Sequence, residues 1–231
     1  MAPKVLIVLT SHSKLGDTGK PTGWYLPELA HPYDVLVDAG FELTIASPAG
    51  GEAPLDPASV EMFKEDAASV AFLRNKQLWE NTTPLADFLG KADEFDAIFI
   101  PGGHGPMYDL AVDETSQKLI AEFAEKGKVV SSVCHGPAAF VNVRLSDGRH
   151  LLEGKTVTGF TNEEEEQVGL TKVVPFLLED KLREGVGAGG KFVKADQAWG
   201  EKVVVDGKLI TGQNPNSAKA VGEALVKAVK A

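Results

Sequence analysis

Short apolar or β-branched runs punctuate the chain at Val5-Leu-Ile-Val-Leu9, Leu43-Thr-Ile-Ala46, Ala97-Ile-Phe-Ile100 and Val129 to Val133, each bounded by Gly, Pro or charge. Runs of this length without polar alternation predict strands buried on both faces. Helical stretches lie between them: Pro32 to Ala39 stopped by Gly40, and Glu114 to Lys126 stopped by Gly127, the latter with Leu119, Ile120 and Phe123 on one face. Strand and helix in alternation predict an α/β sandwich: a mainly parallel sheet with helices on both faces. Residues 56–89 interrupt the alternation with a mostly helical insert carrying Met62, Phe63, Phe72, Leu73, Leu78 and Trp79, read as a lid or flank within a single domain spanning 1–231. Val203 to Thr211 reads as a hairpin around Asp206-Gly207, followed by Gly212-Gln-Asn-Pro215 and an amphipathic helix over Ser217 to Lys230 with Ser217 as its cap.

Ligands in parallel α/β sheets bind beyond the carboxyl ends of the strands. The unusual residues of this chain fall there, in Ser11 to Pro27, Pro101-Gly-Gly-His-Gly-Pro106 and Cys134-His-Gly136. Cys134 is the only cysteine, set where a β-branched run breaks into a small-residue helix start. A sharp strand-to-helix turn holds its residue in a strained conformation and pushes the side chain out of the sheet, as a nucleophile requires. The helix end is expected to lower the thiol toward neutrality and so favour the reactive thiolate.

Composition narrows the function. A net charge of −10, with no run of Lys or Arg, leaves no electrostatic footprint for nucleic acid. No apolar stretch approaches the roughly 20 residues of a membrane span. Met-Ala-Pro-Lys runs directly into the first strand pattern with no signal-peptide character, so a cytoplasmic protein is expected, and a lone cysteine suits that reducing compartment. A small polar or neutral substrate fits better than DNA or RNA.

In Pro101-Gly-Gly-His-Gly-Pro106, glycines let backbone amides approach a ligand; the loop is neither a Walker loop nor a dinucleotide fingerprint. The amides of Gly102, Gly103 and His104, together with that of His135, are candidates for an oxyanion hole serving Cys134. Glu28 lies among aromatic and apolar residues in Trp24-Tyr-Leu-Pro-Glu-Leu-Ala-His-Pro32. Such surroundings penalise its ionised form and suit a group that both takes and gives a proton. Bulky Trp24 and Tyr25 suggest a narrow pocket. The acidic run Glu163 to Glu166 reads as a solvated helix start.

Taken together, Val-Leu-Ile-Val-Leu-Thr-Ser in the first strand, Glu28-Leu-Ala-His-Pro, the Gly-Gly-His-Gly loop, Val-Cys-His-Gly-Pro, Thr158-Gly-Phe-Thr-Asn162 and Thr211-Gly-Gln-Asn-Pro215 resemble the DJ-1/PfpI superfamily, and within it the heat-shock-protein-31-like, glutathione-independent glyoxalases. The resemblance runs from Lys4 to about Lys227. It implies a flavodoxin-like three-layer sandwich, usually a homodimer, converting methylglyoxal and water to lactate without glutathione or metal. The roles it implies are Cys134 as nucleophile, His135 as its partner and Glu28 as acid/base. It also implies a glutamate behind His135, with Glu165 at the best offset and Glu163, Glu164 and Glu166 crowding it. Trp24 joins Gly102, Gly103 and His104 as substrate-binding. No metal or other cofactor is expected, since the His/Glu/His set that a bacterial relative uses has no evident counterpart. The partner is a small 2-oxoaldehyde, with neither nucleic acid nor membrane. A stress-response holdase or redox sensor, a protein deglycase, or a peptidase or amidase could use the same cysteine. Adjacent residues in regular structure do not face one another, so whether His135 reaches Cys134 depends on the turn.

Overall fold

The structure is a computed structural model and describes residues 2–231. Strand β1 (Lys4–Val8) leads through a long loop to helix α1 (Leu26–Asp38) and strand β2 (Glu42–Ser47). The insert supplies α2 (Pro57–Met62), α3 (Ala67–Phe72), α4 (Gln77–Glu80) and a two-residue strand β3 (Thr83–Pro84). Strand β4 (Ala97–Ile100), helix α5 (Glu114–Glu125) and strand β5 (Val129–Val133) follow. Then come β6 (Thr156–Val157), α6 (Asn162–Gln167), α7 (Leu178–Val186), β7 (Lys191–Phe192), the hairpin β8 (Val203–Asp206) and β9 (Leu209–Gly212), and α8 (Ala218–Lys230).

The main sheet runs β3-β2-β1-β4-β5-β9-β8, parallel throughout except for β8. This is the expected α/β architecture. β1, β4 and β5 are buried almost end to end, which is why they read as unbroken apolar runs. Ser131 and Ser132 are the polar exceptions. Their hydroxyls donate to the Ile98 and Ile100 carbonyls at 3.1 and 2.8 Å, so neither is left unpaired in the core.

Helix α1 begins six residues before the periodicity suggests, at Leu26, and so carries Glu28 in its first turn. Pro32 sits inside the helix and has no N–H to give to the Glu28 carbonyl one turn earlier, which masks the N-terminal half of the helix in the sequence. α8 packs against it closely: a Cβ on Gly222 would lie 3.0 Å from Pro32 Cα. Ser217 does not cap α8. Its hydroxyl donates instead to Asn214 Oδ1 at 3.1 Å and accepts the Lys202 amide at 3.0 Å.

The insert is anchored by aromatics. Trp24 meets Phe72 and Trp79 edge-on, with centroids 6.1 and 5.5 Å away, and Phe72 stacks on Trp79. No helix among the described residues is long and apolar enough to cross a membrane.

The turn after β5 is tightest at Gly136. A Cβ there would meet the Ile100 carbonyl and the Ser132 hydroxyl, each at 2.3 Å. Gly136→Ala should therefore cost about 1–3 kcal/mol of stability, read as a lower midpoint in urea unfolding. An unchanged midpoint would show that the turn can shift to make room.

Candidate active site

Cys134 follows the last residue of β5 with φ of +61°, and only one other non-glycine among the described residues, Trp199 at +65°, shares that region. For a residue bearing a Cβ this costs on the order of 1–3 kcal/mol and persists only where the surroundings over-determine it. They do here. The Cys134 amide donates to the Gly212 carbonyl at 3.0 Å, at the end of β9, and its own carbonyl accepts the Phe160 amide at 2.9 Å. The chain beyond is a short 3₁₀ helix, Gly136–Phe140, rather than the α-helix start expected from its small residues. No macrodipole of useful length points at the sulfur.

That difference reverses the expected chemistry of the thiol. Burial first, and then the nearby Glu28 carboxyl, push Cys134 well above the ordinary thiol range, opposed by the His135 amide. It rests as the thiol. Its way to a thiolate is the His135 imidazole, whose Nδ1 lies 3.5 Å from Sγ. The left-handed turn lets these two adjacent side chains face each other.

His135 is itself buried, between the rings of His104 and Phe160 at 4.1 and 4.2 Å. Its Nε2 donates to Glu165 Oε2 at 2.6 Å, which leaves the Nδ1 lone pair turned toward the sulfur. Burial and the neighbouring His104 favour the neutral imidazole. Glu165 is buried too, yet the two imidazoles outweigh the cost of burial and hold its carboxyl well below the usual range. Of the four consecutive glutamates, Glu165 is the one brought to His135. Glu163 and Glu166 are exposed, whereas Glu164 is fully buried, so the run is not the solvated face its composition suggests.

Glu28 enters from α1 and is completely buried. Burial raises its carboxyl to about 8, although the Cys134 thiol and the Gly102 and Gly103 amides pull the other way. Oε2 accepts the Gly102 amide at 2.7 Å, while Oε1 has no hydrogen-bond partner. At pH 7 roughly nine in ten such carboxyls would hold their proton.

Three expected binding roles change. Trp24 is fully buried, its indole N–H donating to the Ala53 carbonyl at 3.1 Å within the aromatic anchor; Tyr25, next in the chain, lines the cavity instead. The Gly102 amide is already spent on Glu28, and the residue lies outside the cavity lining. The His104 ring does border the cavity, but its Nε2 bonds Glu165 Oε1 at 2.8 Å, so the imidazole braces the glutamate. Gly103 does reach the cavity. Its φ of +85° and the Gly23 carbonyl, 2.2 Å from where a Cβ would sit, admit only glycine.

His104, His135 and Glu165 form a His/His/Glu cluster with donor atoms within 4.8 Å of one another, a set the sequence did not reveal. Both carboxylate oxygens are already engaged, at 2.8 and 2.6 Å from the imidazoles. Ligands around a tetrahedral divalent ion lie roughly 3.3 Å apart. The cluster is therefore built as a hydrogen-bond network, and a metal would have to pry it open.

The cavity holds about 60 Å³ and is lined by Tyr25, Glu28, Gly103, His104, Cys134, His135, Phe160, Val168, Trp199 and Pro215. None of these comes from the insert, which touches the site only through Tyr25: the Tyr25 hydroxyl donates to Met62 Sδ at 3.3 Å and its ring meets Phe63 edge-on. The cover comes from the C-terminal part of the chain. Phe160 and Pro215 lie in the two C-terminal motifs of the resemblance, but Val168 and Trp199 carry no signal in the sequence that marks them as site residues. Larger cavities lie elsewhere and hold no part of this cluster.

A flavodoxin-like parallel sheet with a strained thiol at a strand end, backed by imidazole and carboxylate, defines the class. The match to the DJ-1/PfpI family model covers residues 23–228, and the chain belongs to that family. It is 31% identical over 239 residues to glyoxalase 3 of Candida albicans, covering 97% of this chain and 98% of that one. It is also 31% identical to the glutathione-independent glyoxalase HSP31 of Saccharomyces cerevisiae, over the full length of both. Among solved structures, C. albicans glyoxalase III superposes with a TM-score of 0.88 at 30% identity, covering 98% of this chain and 97% of that one. Rapid Encystment Protein 24 kDa of Francisella tularensis gives 0.91 at 40%, covering 98% and 99%.

Glu28 should leave a signature in stability. A buried acid that keeps its proton to about pH 8 when folded, but only to about 4.5 when unfolded, makes the folded state the better proton binder between those values. Stability contributed at low pH is then lost as pH rises through that window. Relative to Glu28→Gln, the wild type should lose about 3 kcal/mol between pH 5 and pH 8, measured by urea unfolding at both. Parallel pH dependence in the two proteins would show that Glu28 titrates normally.

Proposed function

We propose that this protein is a glutathione-independent glyoxalase, converting methylglyoxal and related small 2-oxoaldehydes with water into 2-hydroxy acids, lactate in the case of methylglyoxal. The observation that carries this reading is a buried, proton-holding Glu28 carboxyl bordering the same 60 Å³ cavity as the Cys134 thiol. The glyoxalase activity for which the C. albicans and S. cerevisiae relatives are named supports it.

The geometry suits each step. As the aldehyde enters, Cys134 passes its proton to His135 Nδ1, and the resulting imidazolium is stabilised by Glu165. The sulfur adds to the aldehyde carbon, and the developing oxyanion takes the Glu28 proton, giving a neutral hemithioacetal. Glu28 is now a carboxylate beside the carbon whose hydrogen must leave. It removes that proton while the His135 imidazolium protonates the ketone oxygen, so an enediol forms across the two former carbonyl carbons and the imidazole is neutral again. Glu28 then returns its proton to the neighbouring carbon and takes the one on the former aldehyde oxygen, leaving a thioester. Water hydrolyses the thioester, with the His135–Glu165 pair taking its proton, and the thiol is regenerated. No reductant or thiol cofactor is consumed. A carboxyl near 8 suits this sequence better than an ordinary one, because the first task needs its proton and the second needs its absence.

The competing readings fit the geometry less well. A redox-sensing cysteine is exposed and readily ionised, whereas Cys134 is buried and held as the thiol. A protein-borne adduct or a peptide needs a long groove, and this cavity holds only about 60 Å³, bordered by Phe160, Trp199 and Pro215. Cytoplasmic residence and a homodimeric assembly belong to the same proposal.

Incubation with methylglyoxal in the absence of glutathione, with chiral analysis of the lactate formed, tests it. The wild type should yield one enantiomer. Cys134→Ala should yield none, and Glu28→Gln should lose about 10² to 10⁴ in kcat while its thiol is still alkylated by iodoacetamide. Lactate from Cys134→Ala at the wild-type rate would overturn covalent catalysis, and none from the wild type would overturn the function.

A further inference from the structure

Of the two non-glycine residues held in the left-handed region, one is Cys134 and the other, Trp199, lines the same cavity. Backbone strain at a bulky residue survives only under restraint from several sides, and such residues cluster at functional sites. Trp199 is restrained at every polar group it has. Its amide donates to Glu164 Oε1 at 2.9 Å, its indole N–H to Gln167 Oε1 at 2.6 Å, and its carbonyl accepts the Asn216 side-chain amide at 2.8 Å. The ring also stands edge-on to Phe160, 5.5 Å between centroids.

We propose that Trp199 is a specificity-determining residue, a fixed wall that limits the cavity to two- and three-carbon 2-oxoaldehydes, and that Glu164 is the residue that positions it. The cavity is lined both by polar residues near the sulfur, Glu28, Gly103, His104 and His135, and by apolar ones, Phe160, Val168, Trp199 and Pro215. The reacting carbonyls need the first set, which leaves the second, Trp199 among them, to meet the substituent on the ketone carbon. In a cavity of about 60 Å³ a hydrogen or methyl group is accommodated more readily than an aryl or long alkyl group.

Glu164 is built for positioning. Fully buried, it accepts five hydrogen bonds: from the Thr161 amide and hydroxyl on Oε2, and from the Trp199 amide, Gln213 Nε2 and Asn214 Nδ2 on Oε1, all at 2.8–2.9 Å. One carboxylate thus ties the start of α6, the Trp199 turn and the Gln213-Asn214 segment together. Glu165, one residue on, serves His135 from the same short helix.

The inference rests on the proposed function only for its choice of substrates. The test compares kcat/KM for methylglyoxal and phenylglyoxal in the wild type, Trp199→Gly, Trp199→Phe and Glu164→Gln. Glycine relieves the strained φ, so Trp199→Gly is the variant that should remain folded. It should raise the phenylglyoxal-to-methylglyoxal ratio about tenfold or more, with Trp199→Phe near the wild type and Glu164→Gln shifted in the same direction. Merely structural damage would lower both substrates alike and leave the ratio unmoved. A ratio in folded Trp199→Gly within about twofold of the wild type would overturn the proposal. Should the wild type turn over neither substrate, the function fails on its own and the wall is still read chemically. Trp199→Gly should then accelerate Cys134 alkylation by N-phenylmaleimide relative to iodoacetamide by a similar factor, and an unchanged ratio of those rates would overturn it.

Discussion

The site depends on one constrained peptide unit. Cys134 can hold φ at +61° because its amide is tied to the Gly212 carbonyl and its carbonyl to the Phe160 amide, so β9 and the segment after β6 both clamp the end of β5. Release either and the residue would relax toward the β region, where its side chain would alternate with its neighbours and turn away from His135. The same clamp brings Phe160 against the His135 ring and so sets the imidazole as well as the sulfur. Strain at Cys134 is thus maintained by hydrogen bonds made more than 20 residues away in sequence, and one of those partners, Phe160, also walls the cavity.

Three glutamates show how far environment can separate identical side chains. Glu28 meets apolar burial with no cation near it, and its carboxyl is pushed up to about 8. Glu165, nearly as buried, faces two imidazoles and is held ionised. Glu164 meets five donors, and its role is mechanical. Desolvation raises both Glu28 and Glu165; the available partners decide the outcome.

These environments also divide the work. Cys134 is not activated in advance, since burial and Glu28 both oppose its ionisation. In the proposed mechanism, activation is deferred until the proton moves to His135 as the substrate carbonyl arrives. A thiol kept neutral until then is shielded from indiscriminate oxidation and alkylation. The small cavity, lined in part by Phe160, Trp199 and Pro215, extends the same selectivity from reactivity to size.

The strands and helices of a mainly parallel α/β sandwich were legible in the sequence because buried strands and amphipathic helices leave local periodicity, and Cys134 was legible because a β-branched run ends at Cys-His-Gly; the order of the strands was not. Glu28 and His135 were legible from their immediate neighbours, and Glu165 from its offset within a resembling motif. Other features have no local signature. Trp24 and Tyr25 look alike as bulky residues, and only the docking of Phe72 and Trp79 from the insert decides that the first is core and the second lines the cavity. The direction of the Cys134 shift reversed because the helix after the turn is short and the surrounding burial deep. The roles of Trp199 and Glu164 arise from contacts between segments 35 or more residues apart. Local periodicity records which face of an element is buried, and so the sequence by itself determined the elements and marked Cys134 as the candidate nucleophile. Which group meets which across the folded chain is set by packing of distant segments, and so only the tertiary structure decided the protonation states and the walls of the cavity.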